Sequence, residues 1–389
     1  MLKPLKEYDM SAERGFLCQY DAGAVDLKDG WGEAASIAME LPNFLPTGNV
    51  RSLLERHLPA PEALINVNEL ANAELRALFV RYSFMVQAYI WGEAKPVDYL
   101  PEALAVPMVA LADKLEQQPL LTYSSYVLDN WARFDSNGPI DLDNIFMIQN
   151  FLGGQDEAWF VLVHVAIEAT AGEVLDRMQA IIQAAENKDG GSVTELLNDC
   201  ASSWMKINKI FDRMIERCDP YIYFERVRPY IHGWADNPAL PNGVIYKGVE
   251  RYGSAGQAFR GQTGSQSSIV PSMDALLGIG HAADPLKAYL DQLHAYRPVG
   301  HRRFIDDVRA ASDLRKFVSK IGAPALTDAY NANVQAVADF RTRHLEYAAS
   351  YINKQGRKSA GNDTEIGTGG TPFMRYLKKH RDETAANLL

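Results

Sequence analysis

Apolar residues recur along most of this chain at the three- and four-residue spacing that turns one face of an α-helix toward a core. That spacing predicts helices over 73–92 (AELRALFVRYSFMVQAYIWG), 105–118, 157–187 and 193–218. It predicts further helices over 273–280, 286–297, 301–311 and 326–354. The 157–187 stretch (EAWFVLVHVAIEATAGEVLDRMQAIIQAAEN) is very apolar. Period-two alternation is scarce, and GVIYKGV at 243–249 is the best strand candidate. Strands and helices do not alternate along the chain. The predicted fold class is therefore all-α with minor β.

Proline and glycine break up the first 65 residues, in ELPNFLPTGN and HLPAPEA. RFDSNGPIDLDN (133–144) reads as a loop ahead of the apolar 157–187 helix. A domain boundary is expected near 150, dividing 1–150 from 151–389. Two domains also suit 389 residues at roughly 150 per domain. NKQGRKSAGNDTEIGTGGTPF (353–373) is poor in apolar residues and is expected to form a mobile closing loop between two helices.

Composition narrows the function classes. The chain is 47% hydrophobic and 23% charged, as a globular protein with room for a cavity would be. Its net charge of -10 argues against a nucleic-acid or anionic-membrane partner, which needs a basic patch. No apolar run near the ~18 residues of a membrane span is evident, nor an apolar signal core at the N-terminus, so a cytoplasmic location is expected. Cys18, Cys200 and Cys218 are sparse and unclustered, and read as buried reduced thiols. The eight histidines show no HExxH or HxH spacing, so local motifs give a multi-histidine metal site no support.

One histidine stands out. In DFRTRHLEYAASYI (339–352), His344 shares a helical stripe with Tyr330, Val337, Phe340, Ala348 and Tyr351. A core-facing imidazole needs hydrogen-bond partners or a metal for its ring nitrogens. A satisfied core histidine is the plain reading; an axial haem ligand is the other. Arg341 flanks the same face one turn earlier. A cation there asks for an anion, and haem carries two propionates.

FRTRHLEYAASYI followed by GTGGTPFMRYLKKHRDET resembles the C-terminal signature of the indoleamine 2,3-dioxygenase family. AYIWG (88–92), 100–131, RPYIHGWADNPALPNGVIYKGV (228–249), FRGQTGSQSSIVPSMDALLGIG (259–280) and YRPVGHRRFI (296–305) resemble the family in the same order. The resemblance, to a bacterial member related to tryptophan 2,3-dioxygenase, implies a two-domain helical haemoprotein. In it, 1–150 caps the haem pocket and 151–389 binds haem b. It implies insertion of O2 into the indole ring of L-tryptophan or a related indoleamine, giving N-formylkynurenine in tryptophan catabolism.

The same resemblance assigns residues. His344 matches the proximal iron ligand, Arg341 a residue near a propionate, and Asp274 a carboxylate supporting the proximal side. Otherwise Asp274 reads as a helix N-terminal acid before ALLGIG. Arg228 matches the clamp on the substrate carboxylate, for which a planar guanidinium is suited. Tyr123, Phe160 and Tyr223 match aromatic positions around the indole. Thr263 and Gly264, in GQTGSQSS (261–268), fall on the substrate side, and Thr368 in GTGGT matches a hydroxyl near the substrate ammonium. GTGGT lacks the Lys-Ser/Thr of a phosphate loop.

Two positions depart from the family. His164 stands where the mammalian enzymes carry Ser, and is the expected catalytic residue: it would bond the indole N–H or O2, or else occupy the iron itself. Gln262 is bulkier than the usual Gly. Both departures are compatible with a haem enzyme rearranging a tryptophan derivative, as in pyrrolnitrin formation; a second alternative is a non-catalytic O2-binding haemoprotein, which would need no carboxylate clamp at Arg228.

Overall fold

The computed structural model describes residues 2–64, 66–283, 285–355, 364–370 and 372–389. The chain is mostly helical with little strand, as its periodicity predicts. It opens with two helices that the apolar pattern does not announce, α1 (Asp29–Met39) and α2 (Val50–His57). The expected helices over 73–92 and 105–118 follow as α3 (Asn72–Trp91) and α4 (Glu102–Leu115). The Glu74 carboxylate accepts from the Ala71 N–H at 2.7 Å, which satisfies an otherwise open donor at the start of α3.

The apolar 157–187 run is two helices, α5 (Gln155–Thr170) and α6 (Gly172–Glu186). The N-terminal segment wedges into the junction. The Phe16 N–H donates to the Glu168 carbonyl at 3.4 Å, and a Cβ on Gly172 would lie 2.1 Å from the Ala12 carbonyl oxygen. By length and hydropathy Gln155–Glu186 could cross a membrane, which corrects the expectation that no such stretch exists. However, 72% of its most apolar window is buried inside the fold, as in the core helix of a globular protein.

The helix expected over 193–218 ends early, as α7 (Gly190–Asp212), and a separate turn covers Met214–Arg217. Next come α8 (Ile269–Leu277), α9 (Pro285–His294), α10 (Val299–Ala311) and α11 (Leu314–Ile321). The chain closes with α12 (Pro324–Ala348) and α13 (Phe373–Ala385). Pro324 stands in the first turn of α12, where its missing N–H costs nothing. α11 and α13 went unpredicted because α11 is short, with as many basic and polar residues as apolar ones, and in α13 the basic and polar residues outnumber the apolar ones.

Strands are confined to two pairs. β1 (Tyr99–Leu100) lies parallel to β4 (Ile245–Tyr246), so GVIYKGV supplies only a two-residue strand, with Val244 before it in an isolated antiparallel bridge to Gln257. β2 (Trp131–Arg133) and β3 (Ile145–Met147) pair antiparallel, and the RFDSNGPIDLDN loop joins them. The three cysteines are buried and free, as expected.

α12 is the central post. It packs against α7 on one side and α13 on another, while α7 packs on α5 and α6, and α8 on α10. This brings the ends of α5, α7, α12 and α13 around one space. Of the closing loop expected over 353–373, residues 356–363 and 371 lie outside the described residues. Residues 364–370 lie at the edge of that space.

Candidate active site

His344 is carried on the last turns of α12. Along its stripe Tyr330, Val337, Ala348 and Tyr351 are buried as expected, but His344 itself is only half-buried. Its open edge faces a cavity of about 700 Å³ and an adjoining lobe of about 140 Å³. The larger lobe lies within the range of ~300–1,000 Å³ typical of ligand pockets. Among the described residues neither ring nitrogen of His344 has a hydrogen-bond partner. Burial, together with the nearby His164 and Arg341, pushes its pKa down to about 4. The ring is neutral, with a lone pair to offer. A histidine satisfied by side-chain partners is not what the fold builds here.

Beneath His344 lies a charged cluster. Arg341 Nη2 donates to Asp274 Oδ2 at 2.7 Å and Nη1 to Oδ1 at 3.2 Å, and Nη1 also bonds Thr384. Asp274 Oδ2 takes a third contact, from His281 Nε2 at 3.2 Å. Burial alone would raise the Asp274 pKa, but Arg341 and His281 outweigh it and hold it at about 2. Asp274 is the sixth residue of α8, not an N-terminal acid, because that helix starts at Ile269. Its oxygens bond Arg341 and His281, not His344.

Above His344 stand the aromatic walls. His164 on α5 lines both lobes, and its Nδ1 lies 2.7 Å from the Phe160 carbonyl oxygen. A carbonyl accepts only, so Nδ1 carries the hydrogen and Nε2 is left as an acceptor. Burial lowers the His164 pKa, which keeps the ring neutral. Phe160 sits 4.8 Å from His164 and 4.7 Å from Tyr223, ring centre to ring centre, and all three line the smaller lobe. Tyr223 opens a wide π-helical turn, Tyr223–Val227, and Tyr123 immediately precedes another, Ser124–Leu128. Such turns recur at functional sites because they re-aim side chains out of the helical register.

Tyr123 lines the larger lobe and points its hydroxyl at a carboxylate, donating to Glu168 Oε1 at 2.8 Å. Ser267 Oγ donates to the same oxygen at 2.6 Å. Burial pushes Glu168 up to about 7 despite these two bonds and the charge of Arg297. Arg297, also buried, donates to the carbonyl oxygens of Ser265 at 2.7 Å and Ser267 at 3.1 Å, and so pins the 261–268 loop. Thr263 Oγ1 accepts from the Ser265 N–H within this loop. Gly264 faces His344: a Cβ built on it would lie 3.8 Å from Cε1 and 3.9 Å from Nε2.

The smaller lobe is bordered by Gly367, Thr368 and Gly369. Thr368 Oγ1 donates to the Gln262 carbonyl oxygen at 2.5 Å, and the Gly233 N–H donates to the Thr368 carbonyl at 3.2 Å. Glycine is required where these segments meet: a Cβ on Gly233 would lie 2.1 Å from the Gly261 nitrogen. Arg228 is fully buried behind this wall, with Nη2 donating to the Ile366 carbonyl at 2.6 Å and its guanidinium over Phe224. It does not line either lobe as the chain stands.

Comparison with known proteins decides what this site belongs to. The family model described as indoleamine 2,3-dioxygenase matches residues 4–387. Indoleamine 2,3-dioxygenase 1 of Rattus norvegicus is 32% identical, over 99% of this chain and 96% of its own length. The indoleamine 2,3-dioxygenase of Saccharomyces cerevisiae is 31% identical, over 99% and 94%. The indoleamine 2,3-dioxygenase nanC of Aspergillus nanangensis is 33% identical, over 79% and 80%.

The chain belongs to the indoleamine 2,3-dioxygenase family. It is thus an oxidoreductase of a haem-dependent family whose substrates are indoles and O2. These relatives are eukaryotic and lend the expected bacterial source no support. The motifs that carry the resemblance are contacts in the fold. Gln87 and Trp91 both donate to the His232 carbonyl, which ties AYIWG to RPYIHGW.

The residues present suit the haem on which this family depends. A neutral imidazole with no hydrogen-bond partner opens onto an apolar cavity, and Arg341 stands in its wall. Gly264 leaves the tip of the His344 ring uncrowded, since even an added Cβ would meet Cε1 and Nε2 only at ordinary contact distance.

Of the expected residues, Phe160, His164, Tyr223, Thr263, Gly264, His344 and Thr368 line the smaller lobe. Tyr123, Asp274 and Arg341 line the larger one, which His164, Gly264 and His344 also border. Three residues were missed. Phe211 lines both lobes but reads as ordinary core in the sequence. Glu168 had a signal, an acid inside an apolar helix. Arg297 had none.

Proposed function

We propose that this protein is a haem-dependent dioxygenase acting on L-tryptophan or a close indoleamine and forming N-formylkynurenine. The observation that carries the reading is His344: a neutral imidazole without a hydrogen-bond partner, facing an aromatic-walled cavity in a member of this family. His344 would hold the iron of haem b, with Arg341 and Asp274 as the charged pair at its edge. When bound, haem supplies the binding and activation of O2.

The chain's own residues then orient the substrate and keep water out. Phe160 and Tyr223 offer an aromatic slot for the indole. His164 Nε2, left as an acceptor by the Nδ1 bond, takes the indole N–H. Residues 364–370 close the pocket, and Thr368 presents polar atoms to the amino-acid end. Arg228 binds the substrate carboxylate if it exchanges the Ile366 carbonyl for it, a swap of one acceptor for a stronger, charged one.

The test is an absorption spectrum of the purified protein with and without tryptophan, followed by assay of the ferrous form with tryptophan and O2. A Soret band that tryptophan shifts, with N-formylkynurenine formed, is the expected result. Intact haem without that product would point instead to a rearranging enzyme or an O2 carrier and would sink this reading.

A further inference from the structure

The cavity floor holds a second group of ligating side chains that the dioxygenase reading leaves unused. His281 follows α8 by four residues, while His380 and Glu383 sit on one face of α13, three residues apart. One ligand atom from each of the three lies within 4.8 Å of the others. The His281 and His380 rings are 4.8 Å apart, centre to centre. His281 Nδ1 lies 2.6 Å from Glu383 Oε2, and its Nε2 lies 3.2 Å from Asp274 Oδ2. His380 is only 9% exposed, and its Nε2 is buried with no hydrogen-bond partner. A buried polar group left unpaired is costly, so an unpaired nitrogen beside a His–Glu pair points to a missing partner.

We propose that His281, His380 and Glu383 form a binding site for a divalent transition metal ion of the zinc class, separate from the haem iron. Two imidazoles and one carboxylate are a zinc donor set, with a fourth position left for water. Tetrahedral bonds of ~2.0–2.1 Å place ligands about 3.3 Å apart, so His281 Nδ1 and Glu383 Oε2 must part from 2.6 Å while the His380 nitrogen, now within 4.8 Å, moves in. The ion replaces the proton that His281 and Glu383 share, and that proton passes to solvent. Asp274 then accepts from His281 Nε2–H. This is the outer carboxylate that fixes the tautomer of a metal-bound histidine.

The surrounding charges are balanced. Arg341 is already paired with Asp274, and Lys379 sits 3.4 Å from the other oxygen of Glu383, Oε1. His380 is neutral and ready to bind, since burial and the nearby cations push its pKa down to about 4. The ion would clamp α13 to the end of α8 at the edge of the cofactor cavity.

The test is a zinc titration of the full chain as purified, haem retained, after removal of adventitious metal with a chelator, read by competition with a chromophoric zinc indicator. One equivalent should bind at sub-micromolar strength. His380→Ala and Glu383→Gln should each weaken it at least tenfold. X-ray absorption at the zinc edge should show nitrogen and oxygen ligands. Glu383 is partly exposed on a helix, so its variant remains decisive if His380→Ala misfolds. No bound equivalent, or an affinity that Glu383→Gln leaves unchanged, overturns the site. Zinc that binds the haem-free chain but is expelled by one equivalent of haem would assign the His380 nitrogen to the cofactor and overturn it as well.

Discussion

His164 on α5 and His344 on α12 flank one phenyl ring: the Phe211 centroid lies 6.2 Å from the first imidazole and 6.4 Å from the second. Both histidines line both lobes of the cavity. Burial lowers both pKa values, and at His344 the nearby His164 and Arg341 lower it further. Two neutral imidazoles facing one space differ in one respect. The Nδ1 of His164 is tied to a carbonyl, whereas among the described residues no hydrogen bond holds His344. On the proposed function, that difference makes His164 the substrate-facing acceptor and His344 the metal ligand.

His344→Ala should remove haem while leaving a helical protein. The expected readout is loss of at least nine-tenths of the Soret absorbance per chain, on the order of the contribution of a sole axial ligand, with unchanged far-ultraviolet circular dichroism. Wild-type haem content in the variant would show that the iron is held elsewhere.

His164→Leu tests the acceptor role. A single hydrogen bond is worth about 0.5–1.5 kcal/mol, or roughly two- to tenfold. Wild-type kcat/KM for tryptophan should therefore exceed that for N1-methyltryptophan by an extra factor of that size, and the variant should lose it. If the ratio stays put, His164 does not meet the indole N–H.

Arg228→Ala should raise the tryptophan KM by roughly tenfold or more, the scale of losing a buried charge-assisted contact. Arg228→Lys should recover only part of it, since an ammonium lacks the two-pronged fork. An indole without a carboxylate should be indifferent to either change. If it is not, Arg228 acts by holding Ile366 and the segment above the pocket.

Glu168 sets a pH dependence. Its pKa rises on folding, from the ordinary 4.5 to about 7. The folded state therefore holds a proton that the unfolded chain releases. Its contribution is fully present below pH 4.5, falls as pH rises toward 7, and is flat above that. At about 1.4 kcal/mol per pKa unit the fall is a few kcal/mol. Urea midpoints across this window should slope downward in the wild type. Glu168→Gln, with no proton to lose, should flatten that slope; an identical slope would remove Glu168 as its source.

Much of this protein could be read in order along the chain. Helical spacing placed α3, α4, α8, α10 and α12 to within a few residues, since burial of one face is a local, periodic demand on sequence. The inward facing of His344 came from the same periodicity, and the neighbouring Arg341 came from spacing. The family resemblance supplied their roles. α11 and α13 escaped because short helices rich in charge offer few apolar positions to a periodicity reading and owe their stability to packing, α11 on α6 and α12 and α13 on α12.

What only the tertiary structure decided lies between segments far apart in sequence. It opened a cavity where periodicity saw core, and left His344 half-buried at its edge. It turned Asp274 toward Arg341 and His281, and set the Arg228 guanidinium against Ile366. It brought Glu168 under Tyr123 and Ser267, and pinned their loop with Arg297. It also gathered His281, His380 and Glu383, which no local spacing marks as a metal site. A sequence records which face of a helix is apolar. Which polar groups then meet across that face, and which are left without a partner, is fixed only when the helices pack.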